Sequence, residues 1–134
     1  MDRRAFVQTA ALGSLGLVHP SLPRQAAAWR AWRVSGGRVN QHLTDLSAFG
    51  RNPQGGVSRV AYSQADIDGR AFAVQLMRSA QLDVRIDPVG NILGRRAGSL
   101  AGAPPILFGS HIDSVPEGGN YDGDVGSMSA IEVA

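Results

Sequence analysis

With 134 residues, 43% of them apolar, the chain has material for one modest domain with its own core. It contains no cysteine, which excludes disulfides and thiolate metal sites, so any bound metal must use nitrogen and oxygen donors. All thirteen basic residues are arginine and the net charge is +2, but no basic cluster with interleaved aromatics marks a nucleic-acid surface.

Residues 1–28 read as a leader. Asp2-Arg3-Arg4-Ala5-Phe6-Val7-Gln8 sets an arginine pair before an apolar pair, a weakly apolar run continues to Val18, and Ala26-Ala27-Ala28 offers small residues for cleavage. Basic, then apolar, then small is the order of a secretory signal peptide, and the arginine pair points to the twin-arginine route, hence to a periplasmic or secreted protein. The run is too short for the roughly 20 residues of a spanning helix. Without the leader, ten arginines face ten carboxylates, so the basic balance belongs to targeting.

The remainder, residues 34–134, reads as α/β. Val39, Leu43, Leu46 and Phe49 recur at helical spacing, with Gly50 as the expected stop, and His42 falls on the polar side of that helix, where solvent is expected. After a Gly/Asn/Pro-rich loop over residues 51–62, Ser63 is placed as an N-cap with Asp66 as its capping-box partner. Ala65, Gly69, Phe72, Leu76 and Ala80 then form the inward stripe of a second helix. Two strands are expected at Asp83–Asp87 and Asn91–Arg96, joined by Pro88-Val89-Gly90. The continuous apolar run Pro105–Phe108 predicts a strand buried on both faces.

His111 stands at the carboxyl end of that run, where open α/β sheets place their ligands. In an extended segment residues i and i+2 share a side, so Asp113 can lie beside the His111 ring, fix its tautomer and raise the basicity of the opposite nitrogen. Asp122 follows on the glycine-rich loop Gly118-Gly119-Asn120-Tyr121-Asp122-Gly123, whose glycines allow close approach to an ion. This arrangement suits half of a metal site. Ser110 and Ser114 lie beside the His-x-Asp pair, but no base and orienter for a serine nucleophile accompany them. A short His-x-Asp alone is a weak signal; the whole stretch is a stronger one.

His111-Ile112-Asp113-Ser114-Val115-Pro116, Gly118-Gly119, Tyr121-Asp122-Gly123 and Ala130-Ile131-Glu132-Val133, with Gly56-Val57-Ser58-Arg59-Val60-Ala61-Tyr62-Ser63 and Asp87-Pro88-Val89-Gly90-Asn91 before them, carry a family likeness. This sequence resembles the N-terminal part of the zinc-dependent amidohydrolases that include N-carbamoyl-L-amino-acid hydrolase, allantoate amidohydrolase and β-ureidopropionase. The resemblance implies a dinuclear-zinc aminopeptidase-like catalytic domain with a central mixed sheet flanked by helices. It implies that His111 is a zinc ligand, that Asp122 bridges two Zn2+ ions (or another divalent pair such as Mn2+), and that Asp113 is the supporting carboxylate. A small-molecule carbamoyl or ureido substrate and, through a domain outside these residues, a homodimer are implied by the same analogy.

The family pattern also includes a Glu-Glu pair, two further histidines and a substrate-clamping arginine, none of which these residues match. Two ligands fall short of the three that a catalytic zinc takes from protein, so this chain alone is expected to be a poor hydrolase. It stops at Ile131-Glu132-Val133-Ala134 inside an expected helix without a stop signal, which reads as a fragment. Arg59 and Tyr62 admit two roles, lining a cleft or closing the loop before the second helix, and the second is favoured. An aminopeptidase or acyl-amino-acid deacylase of the same fold, and a non-catalytic remnant, are the competing functions.

Overall fold

The structure, a computed structural model, describes residues 33–134. The leader expected at residues 1–28 lies outside the described residues. The elements in chain order are α1 (Gly36–Leu46), α2 (Gln64–Ser79), β1 (Asp83–Ile86), β2 (Ile92–Arg95) and α3 (Asp124–Val133). No helix among the described residues is long and apolar enough to cross a membrane.

Helix α1 starts where Ser35 Oγ accepts from the Arg38 backbone N–H at 3.2 Å, the usual way a short hydroxyl satisfies an orphan donor. Its inward residues Leu43 and Leu46 join Met128 and Ile131 of α3 in the buried core, with Val39, Phe49, Phe72, Leu76 and Ile112 packed around them. The Phe49 and Phe72 rings meet at 5.6 Å between centroids, tilted by 39°. A second tie joins the far ends of the helix pair: Arg38 grips both oxygens of Glu132 at 2.7 Å, and the Ser35 N–H donates to the same carboxylate at 2.7 Å. The helix ends at Leu46, earlier than the stop expected at Gly50. Residues 47–50 form a turn instead, and Gly50, at φ +86°, lies so close to the Ser58 carbonyl that a Cβ would sit 2.6 Å from it. His42 is half-buried, and its Nδ1 is enclosed with no partner among the described residues, where solvation was expected.

Helix α2 opens on Ser63, whose Oγ accepts from the Asp66 N–H at 3.3 Å. The reciprocal bond is shifted by one residue: Asp66 Oδ2 accepts from Tyr62 N–H at 2.9 Å, with Tyr62 at φ +66°. β1 and β2 pair antiparallel in the register Asp83↔Arg95 to Ile86↔Ile92 and pack on α2. Their connection is organised by Asp87, whose carboxylate accepts from the N–H groups of Val89 (3.1 Å) and Asn91 (2.8 Å) and from the Asn91 amide (2.8 Å). These bonds hold the Asp87 carboxyl below the usual carboxylate range, the Asn91 amide contributing most.

The strand expected at Pro105–Phe108 is not formed. Ile106 and Leu107 are 89% and 85% exposed and Phe108 53%. The apolar run expresses a demand for burial, but a strand also needs a neighbouring edge, and Pro104 and Pro105 have no N–H to donate. Among the described residues the only sheet is the antiparallel hairpin β1–β2, where a central mixed sheet was expected.

Candidate metal centre

Two short arms form the site, and a third segment holds them. The first arm carries His111 and Asp113; the second runs through Gly118 to Asp122 and into α3. The holding segment is residues 57–59, which pair antiparallel with the second arm at Gly118 and bond to Ser114 next to the first arm. Val57 and Gly118 exchange N–H···O bonds of 2.9 and 2.8 Å. Ser114 N–H donates to the Arg59 carbonyl at 2.8 Å, while Ser114 Oγ accepts from Arg59 N–H at 2.9 Å and donates to the Val57 carbonyl at 3.1 Å. Ser58 Oγ accepts from Glu117 N–H at 2.9 Å. Ser114 is thereby committed to structure, which removes it as a nucleophile.

His111 is half-exposed, and its Nδ1 lies 3.2 Å from Asp113 Oδ1 and 3.1 Å from the Asp113 carbonyl. Asp113 therefore meets the ring as the i, i+2 spacing suggests. In the neutral ring, an Nδ1 that faces two acceptors favours the tautomer with its proton there and the free lone pair on Nε2. Behind the ring is Gly123, the N-cap residue of α3, at φ +71° and ψ −44°. A Cβ at Gly123 would stand 2.4–2.6 Å from three ring atoms of His111, so the ring rests on bare backbone. The preceding residue in the chain is Asp122, which is exposed. Ser127 of α3 closes the contact by donating to the His111 carbonyl at 2.9 Å, and a Cβ at Gly126 would lie 2.7 Å from Ser110 Cβ.

The donor set suits a divalent cation of N/O preference: an imidazole with one nitrogen anchored by Asp113, and the exposed Asp122 carboxylate one residue before Gly123. Among the described residues no group of three or more His, Cys, Asp or Glu side chains converges as a metal site. A cavity of about 280 Å³ opens beside the first arm, lined by His111 and Asp113 together with Tyr62, Arg70 and Asn91.

The least visible members of the site are Arg59 and Asp124. Arg59 is fully buried, and all its guanidinium nitrogens are engaged: Nε with the Ile112 carbonyl (2.5 Å), Nη1 with the Leu46 and Phe49 carbonyls (3.0 and 2.9 Å), Nη2 with Asp124 Oδ2 (2.7 Å). Burial pushes the Asp124 carboxyl upward and the Arg59 guanidinium pulls it back. Its Oδ1 is buried with no partner among the described residues. Arg59 thus closes the loop rather than lining a cleft. Asp124 gave one weak cue, an acidic residue in a helix's first turn, which ordinarily signals only a dipole contact.

No protein-family model matches the chain. It is 44% identical over 94 residues to the ureidoglycolate hydrolase of Arabidopsis thaliana, covering 70% of this chain and 20% of that protein. It is 37% identical over 100 residues to an N-carbamoyl-L-amino-acid amidohydrolase of Pseudomonas sp. (strain NS671), covering 75% and 24%. A hydantoinase/carbamoylase family amidase from Burkholderia ambifaria superposes with a TM-score of 0.71 at 41% identity, covering 74% of this chain and 24% of that one. The chain is a homologue of the hydantoinase/carbamoylase-family amidohydrolases. It spans about a quarter or less of the length of the curated relatives it matches. As an amidohydrolase homologue it shares with them the helices and small hairpin described above.

Proposed function

We propose that this chain supplies the first part of a dinuclear metal centre in a hydrolase of linear amide or ureido C–N bonds, in a dinuclear-zinc aminopeptidase-like domain. The observation that carries the reading is the His111 ring, anchored at Nδ1 by Asp113 and seated on Gly123 beside Asp122. His111 Nε2 and the Asp122 carboxylate would hold the ions, Zn2+ or Mn2+, with Asp122 as the bridge. Such a pair, when bound, polarises a carbonyl and lowers the pKa of water toward neutrality. Asp113 keeps the imidazole in one tautomer, and Gly123 admits the ring to the turn. The names of the relatives support the carbamoyl and ureido class of small-molecule substrate over peptides.

Two donors are fewer than a catalytic zinc takes from protein, so the 134-residue chain by itself is proposed to turn over poorly. Export through the twin-arginine route is proposed from the Arg3-Arg4 leader, cleaved near Ala28. The reading is tested by assaying zinc-dependent ammonia release from N-carbamoyl amino acids and ureidoglycolate, and metal content by elemental analysis. The complete gene product is expected to hydrolyse at least one of them and to lose metal in Asp122→Ala, while the 134-residue chain stays at background. Equal metal in wild type and Asp122→Ala contradicts the bridge; robust turnover by this chain contradicts its dependence on further ligands.

A further inference from the structure

We propose that Arg59 is a positioning residue of the metal centre, a single guanidinium that sets the His111–Asp113 arm and the Asp122 arm in register with each other. The inference rests on the metal-site reading above and extends it to a residue that donates nothing to the ion. Ile112, whose carbonyl receives Arg59 Nε, lies between His111 and Asp113; that carbonyl's peptide plane carries the Asp113 Cα, and Asp113 in turn meets the His111 ring. Asp124, which receives Nη2, lies two residues beyond Asp122 and begins α3. Nη1 meets the carbonyls of Leu46, the last residue of α1, and of Phe49 in the turn that follows it.

The arrangement requires arginine. Only a planar fork reaches a carbonyl on one side, two on another and a carboxylate on the third from one buried point; a lysine ammonium would satisfy part of this set. The surrounding sequence makes room for it. A Cβ at Gly69 of α2 would stand 2.8 Å from Arg59 Cδ, so that glycine is the floor on which the side chain lies. The Arg59 backbone adds its own grip on Ser114, so both the main chain and the side chain of one residue hold the His-x-Asp arm.

The test reads the His111 ring itself. Imidazole 15N shifts at alkaline pH report the neutral tautomer, and titration with Zn2+ alone reports affinity at Nε2, in wild type, Arg59→Met, Arg59→Lys, Gly69→Ala and the core variant Leu43→Ala. Wild type is expected to show one tautomer, protonated on Nδ1. Arg59→Met is expected to mix the tautomers and weaken zinc about 10–100-fold, the usual range for groups that orient a ligand. Arg59→Lys recovers part of the loss, and Leu43→Ala lowers stability while leaving both readings unchanged. Wild-type tautomer and zinc affinity in folded Arg59→Met overturn the proposal, as does an equal loss in Leu43→Ala. If Arg59→Met does not fold, Gly69→Ala and Arg59→Lys decide in the same terms. A wild type without zinc response counts against the metal site alone, and the tautomer comparison still judges Arg59.

Discussion

Arg59 and Asp124, 65 positions apart in the chain, form an ion pair of 2.7 Å with side chains 0% and 2% exposed. Two charges so placed attract strongly but forgo hydration, and breaking such a pair from one side leaves an uncompensated charge. Asp124→Ala is therefore expected to lower the free energy of unfolding by about 3–5 kcal/mol, read by urea denaturation. A loss below about 1 kcal/mol, the range of exposed pairs, would show that the pair is solvated.

Gly123 is a position where substitution meets two obstacles. Its φ of +71° with ψ −44° is poorly accessible to residues with a Cβ, and that Cβ would occupy the space of the His111 ring. Gly123→Ala is expected to displace the ring and abolish the zinc response proposed for His111. Gly119→Ala, with nothing within 4 Å of its added Cβ, is the matched control and should leave it intact.

The tie between α1 and α3 predicts an acid dependence. The bidentate Arg38 contact, aided by the Ser35 N–H, holds the Glu132 carboxyl at about 2, against an ordinary 4.5. A folded-state value below the unfolded one means that the stabilisation is fully present above about pH 4.5. It is lost as pH falls from there through about 2. Thermal melts across this window should show a falling Tm that Glu132→Gln flattens; parallel curves for the two proteins would dissociate Glu132 from the acid transition.

Much of the fold was legible because local chemistry determined it. Ser63 announced a cap, Asp87-Pro88-Val89-Gly90-Asn91 announced a turn between two strands, and the helical spacing of Leu43 and Leu46 announced a core face. The i, i+2 relation of His111 and Asp113 was legible for the same reason. The loop-closing role of Arg59 was legible too, but its ion pair with Asp124 was not, because that pair is a contact between distant segments and Asp124 alone resembles an ordinary polar residue. The segment Pro105–Phe108 misled in the opposite way: hydrophobicity registers the need for burial, whereas strand formation depends on a partner edge elsewhere.

That segment yields a sharp contrast. Leu107 is 85% exposed, so Leu107→Ala should change the stability of this chain by no more than about 0.5 kcal/mol. A buried strand would lose about 2–5 kcal/mol on the same truncation. Denaturant titration of the two proteins separates the cases.

The convergence of His111 and Asp122 on one cation is tested most directly by following the His111 imidazole nitrogens while Zn2+ is added to the purified chain and to Asp122→Ala. The expected result is a zinc-dependent shift at Nε2, with Nδ1 remaining protonated against Asp113, and its loss or marked weakening when the Asp122 carboxylate is removed. Metal arriving at Nδ1, or an undiminished response in Asp122→Ala, would contradict the shared site.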